Sequence, residues 1–242
     1  MRILITTAFL LVFTAVWLIS CSKKTEQPSG PYKLSYGDSI LYLKNQAGDY
    51  VVYPTEQRAG EYTGFPDGIE IDEITGAINV SKSETGLRYR VTHTAPNGTT
   101  TSTIVLLSGI TFTDKFYYLS QLDSIAFPVY NGNPANPLPL AGSSFDENNT
   151  ANNGGCSVQT INGQINLAQS VRNGIFGGVP QNDERKDFDI EYRLNDKSGK
   201  ARNEIRVRLY WYNTIADVPA DLWETLNDRE TQGVFLRTGP GL

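Results

Sequence analysis

The sequence predicts an all-β fold made of two tandem β-sandwiches, and two observations support this. The first is an internal repeat: residues 68–80 recur as residues 155–167, and residues 32–40 recur in the same order as residues 117–125. The second is the alternation of apolar and polar residues in several segments, which is typical of strands with one buried and one exposed face. Two echoes at nearly equal offsets, 87 and 85 positions, indicate a duplicated module.

The repeated unit has the pattern of a strand, a turn and a returning strand. Ile69 and Ile71 alternate with acidic residues, and Asp72 and Gly76 then supply the side-chain hydrogen bond and the positive φ that a turn needs. In the second copy Cys156 occupies the place of Ile69. We therefore expect the Cys156 thiol to be a small buried group and not a reactive one.

The turn of this unit belongs to a short recurring pattern of proline, glycine, aliphatic residues and Asp-x-x-Thr-Gly. The residues that carry it are Pro66, Gly68, Ile69, Ile71, Asp72, Thr75, Gly76 and Ile78. In this pattern the unit resembles the immunoglobulin-like and cadherin-like modules of bacterial surface proteins, and the resemblance implies two immunoglobulin-like sandwiches. The second copy departs from it, with Gln159 and Asn162 at two of these places. Neither copy has the calcium-binding linker of cadherins, so calcium-stiffened adhesion is not implied.

Residues 1–21 have the features of a lipoprotein signal peptide. A basic residue, Arg2, precedes an apolar run. The run ends in Leu18-Ile19-Ser20-Cys21, which resembles the bacterial lipobox. By that resemblance Cys21 becomes the acylated first residue of the mature chain, and its lipid holds the protein on a membrane. A retained transmembrane anchor is the alternative, since roughly 20 apolar residues span a bilayer.

Residues 22–31 are polar and contain proline and glycine, which predicts a flexible tether. Ser22, next to the lipidated cysteine, is not the aspartate that retains some lipoproteins in the inner membrane. We therefore expect the cell envelope as the location, with the outer membrane favoured and its leaflet left open.

The globular part is long enough for two domains, which we place at residues 32–112 and 113–242. Almost no linker separates them, so we expect little relative motion. The second domain carries two insertions, residues 131–153 and 170–187. Loops on a rigid scaffold often carry function, so the insertions are the first places to search for a site.

Hairpins complete both predicted modules. Residues 87–94 and 99–107 alternate as two strands, and Asn97-Gly98 between them predicts a type I′ turn. Residues 188–194 and 205–212 form the equivalent hairpin of the second module. The three residues from Tyr192 match the three from Tyr89.

One helix is expected after the last hairpin. Asp217 is the expected cap and Pro219 suits the first helical turn. Leu222, Trp223 and Leu226 would form its apolar stripe. The apolar residues Val234, Phe235 and Leu236 in the tail predict a final strand.

The composition leaves few catalytic or cofactor sites. His93 is the only histidine, and its place in an alternating strand indicates a structural role. One histidine and two cysteines cannot supply the four ligands of a zinc site. No phosphate-binding loop occurs, so we expect neither a metal nor a cofactor. The formal net charge of −5 argues against nucleic acid as a partner.

Carboxylates are abundant, and two acidic clusters lie in the insertions, at residues 146–149 and at Asp183-Glu184. They could bind calcium through oxygen ligands. A pair of acids could also hydrolyse glycosidic bonds if the two carboxyl groups lay at the right separation. Neither cluster has an ordered ligand spacing, so we expect solvated acidic loops.

A strip of basic and aromatic side chains is the candidate ligand-binding site. It consists of Arg206, Arg208, Tyr210 and Tyr212, and we name it the Arg-Tyr strip. These four residues share the strand face opposite Val207, Leu209 and Trp211, which we expect to point inward. Such a strip can stack on a sugar or contact a protein partner.

Taken together, these patterns predict a lipid-anchored binding or scaffolding protein of the cell envelope without catalytic activity. Its partners would be the membrane, through Cys21, and a glycan or an envelope protein. A glycan-binding lipoprotein of a polysaccharide-uptake system is the alternative within the binding class. The enzyme alternative is a glycosidase that uses loop carboxylates.

Overall fold

A computed structural model describes residues 32–231, and from Tyr32 onward the chain forms one compact unit. Four predictions lie outside the described residues: the signal peptide, the lipidation of Cys21, the tether at residues 22–31 and the strand at residues 234–236. Within residues 32–231 no helix is long and apolar enough to cross a membrane.

The first sandwich contains six strands. They are β1 (Ile40–Leu41), β2 (Val51–Val52), β3 (Glu61–Phe65), β4 (Ile78–Asn79), β5 (Arg88–Thr94) and β6 (Thr100–Leu107). Four of them form a sheet in the order β1-β6-β5-β3, and β2 pairs with β4 in a two-stranded ribbon. All the pairings are antiparallel except that of β1, which runs parallel to β6 at its outer edge.

The second sandwich repeats this plan with additions. Its strands are β7 (Ile110–Phe112), β8 (Ile125–Ala126), β9 (Pro128–Tyr130), β10 (Ser144–Phe145), β11 (Ile165–Asn166), β12 (Glu184–Arg193) and β13 (Arg202–Trp211). Its helices are α1 (Thr150–Asn153), α2 (Leu167–Arg172) and α3 (Ala220–Thr231), with 3₁₀ turns at Leu119–Gln121 and Ile215–Asp217. One sheet has the order β10-β12-β13, and β11-β8 and β7-β9 form ribbons. The predicted all-β fold class is confirmed.

Each sandwich has its own apolar core. Along β5 the side chains alternate between buried and half-buried, as period-two patterning requires. The first core is formed by Leu34, Tyr36, Leu41, Leu43, Tyr62, Ile78, Val80, Leu87, Tyr89, Val91, Val105 and Leu107, together with Ala201. The second includes Ile110, Phe145, Cys156, Ile165, Phe188, Ile190, Tyr192, Ile205 and Val207. The division of the chain at residue 112 stays a prediction.

The internal repeat is present in the backbone hydrogen bonds. The amide of Gly76 donates to the Asp72 carbonyl at 2.8 Å, and the amide of Gly163 donates to the Gln159 carbonyl at 2.8 Å. Both glycines are left-handed, with φ of 70° and 71°. The turn therefore needs glycine in both copies, because a side chain is strained at this φ.

The register of the repeat differs from the sequence match at one place. In the sheets Tyr62 pairs with His93 and Phe145 pairs with Tyr192. Gly76 and Gly163 pack against Tyr62 and Phe145 respectively, so these two pairs are equivalent. Tyr192 therefore stands in the place of His93, and its predicted match with Tyr89 is wrong by four residues. Local identity was misleading because Tyr89 and Tyr192 both lie in alternating strands but at different distances from the hairpin turn.

Two details of the turns and caps also differ from prediction. Only Gly98 of the Asn97-Gly98 turn has positive φ, so the turn is not type I′, which needs positive φ at both residues. Helix α3 begins at Ala220, directly after Pro219. The Asp217 carboxylate accepts hydrogen bonds from the Thr214 amide and hydroxyl and so caps the preceding 3₁₀ turn.

A hydrogen-bond network joins the two sandwiches at buried positions. The hydroxyls of Thr85 and Tyr192 share a hydrogen bond of 2.6 Å, and the Asn203 side chain donates to Thr85 Oγ1 at 3.0 Å. The Ile110 amide donates to the Tyr192 hydroxyl at 3.3 Å. Ala201, in the loop before β13, is 4% exposed and packs in the first core. The sandwiches therefore share a polar and an apolar contact.

Candidate binding surface on the second sandwich

The Arg-Tyr strip lies on the solvent side of β13 and the residues that follow it. Arg206 and Arg208 are exposed, Val207 between them is buried, and Tyr210 and Tyr212 are half-buried. The predicted sharing of one face is confirmed. Trp211, on the other face, is half-buried and packs against Phe176 with ring centroids 6.1 Å apart.

Both arginines of the strip are held by carboxylates of the neighbouring strand. Arg206 makes two hydrogen bonds to Asp189, at 2.7 and 3.1 Å, and Arg208 makes two to Asp187, at 2.6 Å each. Strand register places each pair directly opposite. The hydrogen bond from Arg208 lowers the pKa of Asp187, and the same bond raises the pKa of Arg208. Such bidentate pairs fix the guanidinium planes.

The two tyrosines form the other half of the strip. Their rings are nearly parallel, with an interplanar angle of 11° and centroids 6.4 Å apart. The Arg185 guanidinium lies 5.3 Å from the Tyr210 centroid, within reach of a cation–π interaction. The Tyr212 hydroxyl donates to Asp183 at 2.7 Å. Desolvation, followed by this bond to Asp183, raises the pKa of Tyr212 to about 12.

The partners of the strip were not identified from the sequence. Asp183, Arg185, Asp187 and Asp189 lie on or just before β12, and only the strand register shows which residue each one faces. A signal was nevertheless present, because acidic residues alternate with apolar ones along residues 187–191. Pairing that alternation with the arginines of β13 would have predicted the ion pairs.

The acidic loop clusters serve the local structure. Asp146 is 1% exposed, and its carboxylate accepts hydrogen bonds from the Ala151 and Asn152 amides at 3.0 Å each. Glu147 pairs with Arg193 at 3.0 Å. Among the described residues no group of three or more His, Cys, Asp or Glu side chains could hold a metal ion.

His93 and Cys156 are both structural, as predicted. His93 is 1% exposed, its ring packs against Tyr32 and Tyr62, and its Nε2 lies 3.1 Å from the Ala59 carbonyl. Cys156 is a free, fully buried thiol, and desolvation raises its pKa to about 12. A thiol of this kind is unreactive at neutral pH.

An open cleft of about 680 Å³ lies where the two sandwiches meet. One wall belongs to the first sandwich and is formed by residues 43–48 and 81–84; the other is the first half of β13 with Asp189 and Ala201. We call it the β13 cleft. A volume of this size is in the usual range of ligand sites, which often lie between domains.

Comparisons with known proteins give little further information. No family model and no curated protein matches the chain. Among solved structures, the EC1-4 fragment of Drosophila N-cadherin is similar over 75% of this chain and 49% of that one, at 12% sequence identity and a TM-score of 0.23. The chain thus spans about half the length of that structure.

Proposed function

We propose that the protein is a lipid-anchored component of the cell envelope that binds or scaffolds other envelope molecules and has no catalytic activity. The anchor rests on the lipobox-like residues that end at Cys21. The proposal of binding without catalysis is supported by the loop carboxylates, such as Asp146 and Glu147, which hold backbone amides and an arginine.

The observation that carries this proposal is the network between the sandwiches. Tyr192, fully buried in the second sandwich, shares a hydrogen bond with Thr85 of the first sandwich and accepts one from the Ile110 amide of its own sandwich. Buried polar groups that are fully hydrogen-bonded favour one fixed arrangement. A rigid pair of sandwiches is suited to presenting a surface of fixed shape to a partner.

The anchor is tested by replacing the lipidated cysteine. The Cys21→Ser variant should lose incorporation of labelled palmitate. Cys156→Ala is the matched control, since it removes the other cysteine and should incorporate the label as the parent chain does. Equal incorporation of palmitate by Cys21→Ser and the parent chain would contradict lipid anchoring at Cys21.

A second candidate function, glycan capture, is favoured by the tyrosines of the Arg-Tyr strip. Tyr210 and Tyr212 are partly exposed, nearly parallel and held by Arg185 and Asp183, so they form a rigid aromatic pair. Rigid aromatic side chains lose little conformational entropy on binding. This arrangement suits the face of a sugar ring.

Glycan capture is tested with an array of purified glycans and residues 22–242. Arg208→Ala combined with Tyr210→Ala should abolish any specific signal. Tyr53→Ala is the control, because Tyr53 is a 57% exposed tyrosine of the first sandwich. Binding that survives the double change would place the site elsewhere, and turnover of any glycan would contradict a purely binding function.

A further inference from the structure

The repeated turn of the first sandwich forms an open groove together with the outer face of the β2-β4 ribbon. The groove has a volume of about 530 Å³, and its aliphatic floor is formed by Val51, Ile71, Ile74 and Ala77. Ile74 is 79% exposed and Val51 is 37% exposed, so part of this floor is in contact with solvent. We call it the turn groove, and its floor offers apolar contact to a ligand.

Acidic side chains border the turn groove. They are Glu70, Asp72 and Glu73. The Asp72 carboxylate is used by the turn, since its Oδ1 accepts hydrogen bonds from the Ile74 and Thr75 amides at 3.0 and 2.7 Å. Glu70 and Glu73 are exposed, and neither carboxylate has a hydrogen bond or an ion pair within residues 32–231. The border therefore carries two negative charges that the described part of the chain does not compensate.

Asn79, which lines the same groove at the end of β4, adds an acceptor without a partner. Its Nδ2 donates to Asp49 at 2.7 Å. Its Oδ1 is buried and, alone among the buried side-chain nitrogen and oxygen atoms of residues 32–231, has no hydrogen-bond partner. Leaving a buried acceptor unpaired costs free energy, so this atom favours a ligand that donates. The unpaired side-chain groups of the groove, two carboxylates and this oxygen, are all acceptors.

The second copy of the turn shows that the fold does not require these acceptors. The positions of the two glutamates are occupied there by Ser157 and Thr160. The asparagine is kept as Asn166, but its Oδ1 accepts a hydrogen bond from the Gln169 amide at 2.9 Å. The exposed isoleucine is kept as Ile161. The unpaired acceptors of the first copy are therefore not needed to form the turn, and they are free to serve a ligand.

The combination of acceptors and an aliphatic floor identifies the kind of ligand. A metal ion would not use the floor, and within residues 32–231 no group of three or more carboxylate, thiol or imidazole side chains could hold one. A lysine side chain matches both parts, because its four-carbon stem packs on apolar surface while its ammonium donates up to three hydrogen bonds. Its positive charge complements the two unpaired glutamates.

We propose that the turn groove binds a lysine side chain of a partner protein, in a segment where lysine and aliphatic residues are neighbours. The stem of the lysine lies on the aliphatic floor, and its ammonium faces Glu70, Glu73 and the Asn79 Oδ1. An aliphatic neighbour of the lysine covers the exposed side chain of Ile74. The proposal rests on the binding function above and names the class of partner.

The test uses residues 22–242 and a labelled eight-residue peptide in which lysine alternates with valine. We expect saturable binding that weakens about tenfold when Glu70→Gln and Glu73→Gln are combined, because two exposed charge pairs are lost. Asp38→Asn combined with Glu224→Gln is the matched control, since it removes two exposed carboxylates that do not line the groove. The control should bind as the parent chain does. Equal weakening of both double variants would overturn the proposal in favour of attraction to net charge alone.

The duplication supplies a matched control for the aliphatic floor. Ile74→Ser should weaken peptide binding about fivefold, because it removes an aliphatic contact. Ile161→Ser changes the equivalent residue of the second copy, which is 74% exposed, and should leave binding unchanged. Equal binding by these two variants would overturn the proposal.

Three further ligands separate a lysine-bearing segment from other cations. A peptide in which every lysine is acetylated keeps the stems but loses the charges, and it should not bind. Spermidine supplies amines without a protein segment, and calcium supplies a compact cation. Neither should displace the labelled peptide when present at the same concentration. Binding of the acetylated peptide, or displacement by spermidine or calcium, would overturn the proposal.

Amide chemical shifts of the unmodified chain locate the site without a variant. The peptide should move the amide signals of Ile74, Ala77 and Asn79. The signals of Ile161 and Asn166, at equivalent places in the second copy, should stay where they are. Movement of the second set alone, or of neither set, would overturn the proposal.

Failure of this proposal is distinguishable from failure of the proposed function. Cross-linking in intact envelopes should capture a protein partner with the parent chain and with Ile161→Ser, and much less of it with Ile74→Ser. Equal capture by all three chains would overturn the groove proposal and leave the binding function standing. If the parent chain captures no partner, the result counts against both.

Discussion

Tyr192 and His93 occupy the same place in the two copies but have different roles. His93 is enclosed by two aromatic rings of its own sandwich. Tyr192 carries its hydroxyl further and reaches Thr85 in the other sandwich. At this equivalent position, histidine packs within its own sandwich, whereas tyrosine contacts the other sandwich.

Removing the Tyr192 hydroxyl should weaken the joint between the sandwiches. Tyr192→Phe loses two buried hydrogen bonds and leaves Thr85 and the Ile110 amide short of a partner, so it should cost about 1–3 kcal/mol. Tyr89→Phe is the control, because its hydroxyl donates to Glu84 within the first sandwich. In denaturant unfolding, only Tyr192→Phe should broaden the transition or divide it. Unfolding curves of the same shape for both variants would contradict a role of the Tyr192 hydroxyl in holding the two sandwiches together.

The same hydroxyl predicts a loss of stability at alkaline pH. Burial raises the pKa of Tyr192 from 10.0 to about 12. The folded state therefore favours the protonated form, and this contribution is complete below pH 10 and is lost as the pH rises towards 12. The unfolding free energy of Tyr192→Phe should fall less than that of the parent chain over this window. Parallel curves for the two proteins would show that Tyr192 does not contribute.

The Cys156 thiol should be protected by the fold. Since it is fully buried and its pKa is raised to about 12, it should react with a thiol reagent at pH 8 only after unfolding. The measurement is the rate of labelling in buffer and in denaturant. Fast labelling in buffer would contradict its place in the core.

At the scale of elements, the duplicated turn is the clearest shared structure. A Cβ at Gly163 would lie 2.8 Å from the Phe145 ring, and one at Gly98 would meet nothing within 4 Å, although both glycines have positive φ. Packing therefore separates two glycines whose backbone conformations are alike.

This difference predicts unequal costs for alanine. Gly163→Ala should destabilise by about 2–4 kcal/mol, from backbone strain together with overpacking. Gly98→Ala should cost about 1–2 kcal/mol, from strain alone. Thermal unfolding of both variants gives the comparison. Equal costs would mean that Phe145 moves aside and that the turn is not tightly packed.

Strands were predictable where alternation is long, and β5, β6, β12 and β13 follow the sequence closely. The short elements were not. Strand β10 has two residues at the end of a loop rich in Asn and Pro, and α2 begins within the repeated unit itself, where the side chain of Asn166 caps it. Neither has enough residues for a period to emerge, and tertiary contacts determine both.

The candidate surface was predictable on one strand only. Alternation placed Arg206 and Tyr210 on one face, but whether they are paired depends on their neighbours across the sheet. The register that sets Asp189 opposite Arg206 and Arg185 opposite Tyr210 comes from the whole hairpin. The β13 cleft, formed by segments more than a hundred residues apart, has no local signal.

At the scale of the whole molecule, the two sandwiches should depend on each other for stability. Residues 32–109 alone lack Ala201 of the first core and the partners of Thr85. We expect this fragment to unfold at a lower denaturant concentration than residues 32–231, which should unfold in one transition. An equal midpoint for the fragment would show that the sandwiches are independent.

The position of Ala201 also constrains the order in which the chain can mature. The first core draws its other buried residues from positions 34–107, and it is completed by a residue that the ribosome adds almost a hundred positions later. Before residue 201 has been synthesised, the first core lacks one apolar contact, and the Thr85 hydroxyl lacks its hydrogen bond to Tyr192 when Tyr192 is not yet in place. The first core is therefore completed only by the second half of the chain, and a chain truncated before β13 would lack this contact although most of one module is present.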